Sequence, residues 1–156
     1  MSRAGIGWDS HRLEDGRPLV LGGVEIPSAG RGLVGWSDAD VLTHAVIDAL
    51  LGAAGLGDIG QHFPDTDERW RGADSIELLR VVRGMLPEPV ANVDVTVICE
   101  APKLGPHRDA MRARLAGALG LETAATNVKF TTGEGMGFVG RGEGVAALAV
   151  ATLRRG

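Results

Sequence analysis

The pattern of hydrophobic and polar positions is most informative between residues 36 and 60, where the sequence reads WSDADVLTHAVIDALLGAAGLGDIG. The middle of this stretch is apolar almost all the way round a helical wheel, which predicts a buried helix. Ser37 is a favourable N-cap, and Asp40 three residues later would complete a capping box. Asp40, His44 and Asp48 recur every four residues and therefore share one face. Polar groups on a buried face need partners, so the contacts of His44 become the central question.

Shorter apolar runs bounded by glycine and proline predict the remaining elements. The predicted strands, hairpin and loops lie at residues 3–9, 17–27 (a hairpin turning at Gly22-Gly23), 28–36 (a glycine-rich loop), 61–75 (a polar surface loop), 90–100 and 127–132. Two further helices are predicted, one capped by Asp74 and one at about 107–119 that ends at Gly120. The run after Gly144 is ambiguous by pattern, because alanine favours helix and valine tolerates a buried strand.

Length and composition predict a single globular domain over residues 1–156, with a net charge of −4. Lysine and arginine are scattered, which argues against a nucleic-acid surface. Apolar runs fall short of the roughly 20 residues of a membrane span, and the N-terminus lacks signal-peptide character. We therefore expect a cytoplasmic protein without membrane contact. Cys99 is the only cysteine, so a metal site would consist of histidine and carboxylate groups.

Asp9, His11 and His44 form one candidate metal site. Asp9 and His11 are two residues apart on a predicted strand, so their side chains point the same way. Two imidazoles and one carboxylate suit zinc or another divalent transition metal and leave a position open for chemistry. Asp40 or Asp48 would then orient His44. From spacing alone, a satisfied core histidine beside a polar strand end remains an open alternative.

Two glycine-rich segments near the C-terminus carry further candidate chemistry. Thr131-Thr132-Gly133-Glu134-Gly135 follows a predicted strand, and its hydroxyl and N–H groups could hold phosphate, with Glu134 available to magnesium. A plain glycine turn with a solvated glutamate is the alternative. Arg141 and Glu143 lie on flexible backbone and could form an intersubunit or anion contact, or simply a surface ion pair.

Together these stretches resemble one family, the 2-C-methyl-D-erythritol 2,4-cyclodiphosphate synthases of the non-mevalonate isoprenoid pathway. The resemblance covers essentially the whole chain. Its motifs are G-x-G-x-D-x-H-R from Gly5, S-D-A-D-V-x-x-H-A from Ser37, D-A-L-L-G-A-A-x-L-G-D-I-G from Asp48, H-F-P-D-T-D from His62, A-P-K-L from Ala101, T-T-x-E from Thr131 and G-F-x-G-R-G-E-G from Gly137.

The resemblance implies a phosphorus–oxygen lyase. Its substrate would be 4-CDP-2-C-methyl-D-erythritol 2-phosphate, and its products the 2,4-cyclodiphosphate and CMP. The 2-phosphate would attack the β-phosphate, aided by two divalent metals. Zinc would be held by Asp9, His11 and His44, and magnesium or manganese by Glu134 between the α- and β-phosphates. Thr132 would stabilise the transition state, and Trp36 occupies a catalytic position where many members carry histidine.

Substrate contacts are also implied by the resemblance. The DIG and FPDTD loops would contact ribose and methylerythritol, the APKLG loop cytosine, and the TT pair the phosphates. The implied substrate-binding residues are Ser37, Asp58, Ile59, Gly60, Phe63, Pro64, Asp65, Thr66, Asp67, Ala101, Pro102, Lys103, Leu104, Gly105, Thr131, Gly133, Phe138 and Arg141. Gly133 and Gly135 stand where some relatives carry Thr and Lys. This chain therefore lacks one positive charge near the phosphates, and Arg71 could replace it.

The family's fold and assembly are implied as well. The expected fold is an α+β two-layer sandwich, in which a mixed four-stranded sheet carries helices on one face and the final run is a strand. The expected assembly is a homotrimer with active sites between subunits, and Arg141 and Glu143 would line a threefold axis that binds an isoprenoid diphosphate. Two alternatives are an Fe(II) oxygenase with the same two-histidine, one-carboxylate set and a non-catalytic trimeric binding module for a nucleotide or isoprenoid diphosphate.

Overall fold

The structure is a computed structural model that describes residues 2–154. The predicted domain over 1–156 also includes Met1, Arg155 and Gly156, which lie outside the described residues. The strands are β1 (Ser2–Asp15), β2 (Leu19–Leu21), β3 (Val24–Ile26), β4 (Arg31–Leu33), β5 (Val90–Ile98), β6 (Thr126–Thr131) and β7 (Gly144–Arg154). The helices are α1 (Val41–Ala54), α2 (Ile59–His62), α3 (Ser75–Met85), α4 (Arg108–Leu119) and α5 (Gly137–Gly140), with 3₁₀ turns at Glu68–Trp70, Gly105–His107 and Thr123–Ala125.

A mixed sheet of five strands forms the scaffold, in the order β4-β1-β7-β5-β6, and β2 and β3 form a separate hairpin. Within residues 2–154, β5 and β6 are the only neighbouring strands that run parallel. The α+β class is confirmed, but the expected four-stranded sheet is wrong. The glycine-rich loop 28–36 contains β4, which pairs with Leu13–Asp15. The first strand is longer than residues 3–9 because β7 pairs with it as far as Arg12 before β4 takes over.

Helix α1 packs directly on the backbone of β1 at two glycines. A Cβ atom placed on Gly5 would lie 2.1 Å from the Ala49 carbonyl oxygen, and one on Gly7 would lie 1.9 Å from the Ala45 carbonyl oxygen. Real Cβ atoms do not approach this closely, so only glycine permits the contact. The G-x-G spacing thus brings the helix bearing His44 against the strand bearing Asp9 and His11.

The opposite face of the sheet carries apolar side chains that no helix covers in the described chain. Ile6 pairs with Val150 and Trp8 with Leu148 across β1 and β7. These side chains are 68%, 42%, 54% and 38% exposed, respectively. We call these four residues the outer apolar patch. Within residues 2–154, no helix combines the length and apolar character needed to cross a membrane.

The start of α1 differs from the capping box predicted at Ser37. The N-cap is Asp40, whose carboxylate accepts hydrogen bonds from the Thr43 N–H at 3.0 Å and the Thr43 hydroxyl at 2.7 Å. The same carboxylate accepts from Gly22 N–H at 2.9 Å and Gly23 N–H at 2.7 Å in the β2–β3 turn. A long-range contact with the hairpin therefore places Asp40, rather than Ser37, at the helix start.

Several other predicted boundaries are confirmed. Asp74 caps α3 by accepting from Ile76 N–H, and Gly120 ends α4 in the left-handed conformation.

The polar stretch 61–75 contains a 3₁₀ turn and part of α2 rather than a continuous loop. The ambiguous C-terminal run is strand β7, because β1 and β5 both pair with it.

Candidate active site

Three side chains from β1 and α1 converge at one point. Asp9 Oδ2 lies 2.8 Å from His11 Nε2 and 3.2 Å from His44 Nδ1, and the two ring nitrogens are 3.3 Å apart. Ligand atoms in a tetrahedral zinc site with bonds of about 2.0–2.1 Å are roughly 3.3 Å from one another. The spacing of the three atoms therefore fits a single metal ion, and these residues form a possible metal-binding group.

Hydrogen bonds on the far side of each imidazole decide which nitrogen faces this point. His11 Nδ1 lies 2.9 Å from the Val34 carbonyl oxygen, which can only accept, so Nδ1 carries the proton. His44 Nε2 lies 2.8 Å from Ser75 Oγ, whose hydroxyl donates to Asp38. Neutral rings in these tautomers direct two lone pairs and a carboxylate oxygen at one another. Such a set needs a cation between its members.

The pKa values of Asp9 and His11 agree with a site that favours positive charge. Burial raises the pKa of Asp9, but its interactions with the His11 and His44 imidazoles, which strengthen when a ring is protonated, outweigh burial and lower the pKa to about 2. Burial also disfavours protonated His11, yet the hydrogen bond and charge of Asp9 outweigh burial and raise the pKa of His11. Asp9 therefore stays ionised at neutral pH.

A cavity of about 440 Å³ opens beside the three residues. Its further lining residues are Gly35, Trp36, Ser37, Ile59, Gly60, Phe63, Pro64, Asp65, Trp70 and Leu78. The structure thus brings the predicted Trp36 and Ser37 together with part of the DIG and FPDTD loops. Trp36 Nε1 donates to the Asp67 carbonyl oxygen at 3.1 Å, and the Arg71 guanidinium lies 4.4 Å from the Trp36 ring centroid. The tryptophan therefore fastens residues 67–71 to the cavity wall.

Other predicted residues of these loops have structural partners. Asp58 caps α2 by accepting from Gln61 N–H at 3.0 Å. Asp67 accepts from the Arg69 backbone N–H at 3.0 Å and pairs with the Arg69 guanidinium, while Thr66 is exposed. Asp48 accepts from Ile59 N–H at 2.8 Å and so holds the DIG loop rather than orienting His44.

Thr131, Thr132, Gly133 and Glu134 lie on a different part of the sheet. The Glu100 carboxylate accepts from Gly133 N–H at 2.8 Å and Gly135 N–H at 3.1 Å, so Glu100 anchors this loop. Thr132 Oγ1 lies 3.2 Å from Glu134 Oε1, and both side chains are exposed.

The strand register gives the separation between this loop and the metal-binding group. Asp9 is opposite Ala147, the neighbouring Ala146 is opposite Ile98, and Ile98 is opposite Thr131. The two ends are thus three strand spacings apart, roughly 14 Å.

The remaining predicted residues also lie away from the metal-binding group. Ala101 and Pro102 line a separate cavity of about 420 Å³ with Leu19 and Arg31. Lys103 and Gly105 are exposed, and Leu104 is buried. Phe138 lines a cavity of about 170 Å³ with Glu143, and Arg141 Nη2 donates to Glu143 Oε2 at 3.0 Å. One chain therefore presents two groups of predicted site residues rather than one.

Sequence reasoning missed Ser75, Trp70, Leu78 and Glu100. Ser75 contacts His44. Trp70 and Leu78 line the cavity, and Glu100 anchors the loop that contains Thr132. A signal for Ser75 was present, because it falls on the same face of α3 as Leu79 and Val82 and is a polar residue in a buried stripe.

Comparison with known proteins identifies the family. Residues 2–154 match the model of the YgbB family. The 2-C-methyl-D-erythritol 2,4-cyclodiphosphate synthase of Symbiobacterium thermophilum is 61% identical over 96% of both chains. The bifunctional enzyme IspD/IspF of Anaeromyxobacter dehalogenans is 60% identical over 97% of this chain, which spans only 39% of that longer protein.

Solved structures agree. A 2C-methyl-D-erythritol-2,4-cyclodiphosphate synthase in a CDP-bound form superimposes with a TM-score of 0.87 and 43% identity, covering 96% of this chain and 98% of the other. The bifunctional IspDF of Campylobacter jejuni gives a TM-score of 0.92 and 42% identity, covering 98% of this chain and 42% of the other. These relatives confirm the enzyme predicted from the sequence, and the chain belongs to the YgbB family of cyclodiphosphate synthases.

Proposed function

We propose that the cavity beside Asp9, His11 and His44 performs the cyclisation for which its relatives are named. An oxygen of the substrate's 2-phosphate attacks the β-phosphorus. The bond from that phosphorus to the oxygen bridging the α-phosphate breaks, and CMP leaves with the bridging oxygen. The observation that carries the proposal is the convergence of two imidazole lone pairs and a carboxylate at spacings that fit one metal ion.

The attacking phosphate is already anionic, so the reaction needs no general base from the protein. Phosphoryl transfer then depends on positioning and on neutralising charge. A zinc ion held by Asp9, His11 and His44 would act as a Lewis acid on a phosphoryl oxygen. Residues 59–65 and Trp36 would hold the methylerythritol portion and exclude water. The hydroxyl of Thr132 would donate to the transferring phosphoryl group, and Glu134 would hold magnesium or manganese.

Nucleotide recognition is assigned to the loop at residues 101–105. A CDP-bound relative with 43% identity supports a cytidine site in this chain. Backbone N–H and C=O groups of the loop would read the base edge, since its side chains offer little beyond Lys103. Glu100 joins this loop to Gly133 and Gly135, so the base and phosphate sites share one anchor. A cytoplasmic location is part of the proposal.

The two groups of site residues support an assembly with shared active sites. The backbone separation of roughly 14 Å between Asp9 and Thr131 exceeds the length of a diphosphate, so we assign the zinc ligands and the Glu134 loop that meet on one diphosphate to different chains. A neighbouring chain would supply the nucleotide and threonine loops. The outer apolar patch is an exposed face of the kind that marks protein interfaces. We assign it to a homotrimer whose axis, lined by Arg141 and Glu143, would take an isoprenoid diphosphate.

Phosphorus NMR tests the activity directly. Purified protein with 4-CDP-2-C-methyl-D-erythritol 2-phosphate and magnesium should yield the cyclic diphosphate and CMP, and chelation should stop the reaction. Unchanged substrate with metal-loaded protein would refute the catalytic proposal and favour the binding module.

Subunit complementation tests the shared sites. His44→Ala and Thr132→Ala are each expected to be inactive. In mixed trimers of the two, an interface has a complete site when a Thr132→Ala chain supplies the zinc ligands and a His44→Ala chain supplies the threonine loop. Random assembly produces this at about a quarter of the interfaces, so up to about a quarter of wild-type activity should return. No recovery from a mixed assembly of verified composition would place the whole site within one chain.

A further inference from the structure

A buried hydroxyl and a carboxylate lie behind His44, on the side of the ring away from Asp9 and His11. Ser75 Oγ is 2.8 Å from His44 Nε2, and Ser75 is fully buried. Asp38 receives two hydrogen bonds from Ser75. Its Oδ1 accepts from the hydroxyl, and its Oδ2 accepts from the backbone N–H at 2.9 Å. The hydroxyl is thus held in one orientation.

That orientation fixes the protonation of the imidazole. A carboxylate has no proton to give, so the Ser75 hydroxyl proton is directed to Asp38 and the Ser75 lone pair faces His44. Nε2 must then be the nitrogen that donates, and Nδ1 keeps its lone pair for the group containing Asp9. Ser37 Oγ, 3.1 Å from the same Nε2, provides a second oxygen on this side.

The same pair joins the two helices beside the ring. Asp38 Oδ1 also accepts from Asp40 N–H at 3.1 Å, at the start of α1. The Asp38 N–H donates to the Ala73 carbonyl oxygen at 3.0 Å, just before α3. Ser75 is the first residue of α3, so the position of that helix relative to α1 sets the position of the hydroxyl behind His44.

We propose that Ser75 and Asp38 are positioning residues for the metal ligand His44. They select its Nε2–H tautomer and fix its ring so that Nδ1 faces the metal. The inference deepens the metal site of the proposed function and rests on it. Hydrogen-bond partners of metal-bound histidines typically contribute 10–100-fold to metal affinity, and we expect a loss of that size when Ser75 is removed.

Zinc affinity tests the first half of the inference. The full-length protein is titrated in competition with a chromophoric chelator. Ser75→Ala should raise the Kd for zinc about 10–100-fold. Ser28→Ala is the matched control, because Ser28 is only partly buried and its hydroxyl donates to the Arg31 carbonyl oxygen in a turn of the β3–β4 loop. The Kd of this variant should equal that of the wild type. Ser75→Cys keeps a side chain of similar size but offers His44 Nε2–H a weaker acceptor, and its Kd should lie between those of the wild type and Ser75→Ala.

The tautomer tests the second half without any metal. Two-bond nitrogen–proton NMR of metal-free protein should show His44 as the Nε2–H tautomer in the wild type and a mixture of tautomers in Ser75→Ala. Wild-type protein that binds zinc, with unchanged affinity and tautomer in Ser75→Ala, would overturn the positioning role alone. Wild-type protein that binds no zinc would overturn the metal site, while the tautomer still reports on Ser75. The two failures are therefore distinguishable.

Discussion

Replacing Gly7 with alanine should damage the metal site from a distance of two residues. The added Cβ would lie 1.9 Å from the Ala45 carbonyl oxygen and 2.7 Å from the Ala49 nitrogen, whereas ordinary contacts begin at 3.4 Å. Both opposing atoms are backbone, so no side chain can rotate away. The helix must retreat by about 1.5 Å, the difference between the clash and an ordinary contact.

The retreat carries His44 with it. His44 Nδ1 and Asp9 Oδ2 are 3.2 Å apart, and a retreat of that size would separate them by more than the roughly 4 Å that two zinc bonds span in a straight line. We expect zinc retention to be lost. Overpacking of this kind costs about 1–3 kcal/mol of folding free energy, and the rigid backbone on both sides places Gly7→Ala at the upper end.

Urea unfolding and chelator competition measure the two effects. Gly52→Ala is the matched control. Gly52 is in α1 and faces β1, but a Cβ added there would be 3.7 Å from the nearest atom, the Ile6 carbonyl oxygen. Alanine in place of a helical glycine should stabilise the fold by roughly 0.5–1 kcal/mol and leave zinc binding intact. A Gly7→Ala protein with wild-type stability and zinc affinity would refute the close-packing argument.

Three further outcomes are expected. His44→Ala should lose stoichiometric zinc by elemental analysis, and a variant that still holds one metal per chain would disprove its ligand role. Thr132→Ala should lower kcat about 10²–10³-fold with little change in nucleotide affinity, and equal losses in both would exclude a transition-state role. Burial raises the pKa of the Cys99 thiol to about 11, so a thiol reagent at pH 8 should label only unfolded protein. The rate of labelling should increase as the pH rises towards 11. Fast labelling of native protein at pH 8 would contradict this expectation.

The sequence predicted those elements whose hydrophobic pattern is local. The buried helix, the alternating strand at residues 90–98 and the helix that ends at Gly120 each carry their own periodicity and end signals. Strand β4, the member of the sheet that was not predicted, and the full length of β1 both depend on pairing with distant residues. The alanine-rich C-terminal run has no pattern of its own, and its strand conformation follows from partners on both sides.

The site shows the same division between local and distant information. Asp9 and His11 share a face on any extended strand, but their meeting with His44 depends on two glycines that let a helix touch the strand. The hydroxyl of Ser75 reaches His44 from another helix, which no spacing rule predicts. Ser37 is a favourable N-cap in isolation, but the carboxylate of Asp40 accepts more hydrogen bonds than a single hydroxyl could and caps the helix instead. The Ser37 oxygen therefore faces the His44 imidazole.

The Asp40 carboxylate, fully buried with four donors around it, affects how genetic data on this fold should be interpreted. Removing it leaves buried donors unsatisfied at about 1–3 kcal/mol each and loosens the turn that precedes His44. A mutational scan scored by cell growth would therefore rank Asp40 beside the metal ligands, although the hydrogen bonds of its carboxylate go to Gly22, Gly23 and Thr43 and not to those ligands. Measuring protein abundance in parallel separates the two classes. Substitutions at Asp40 deplete the protein, whereas those at Asp9 leave abundant protein that forms no product.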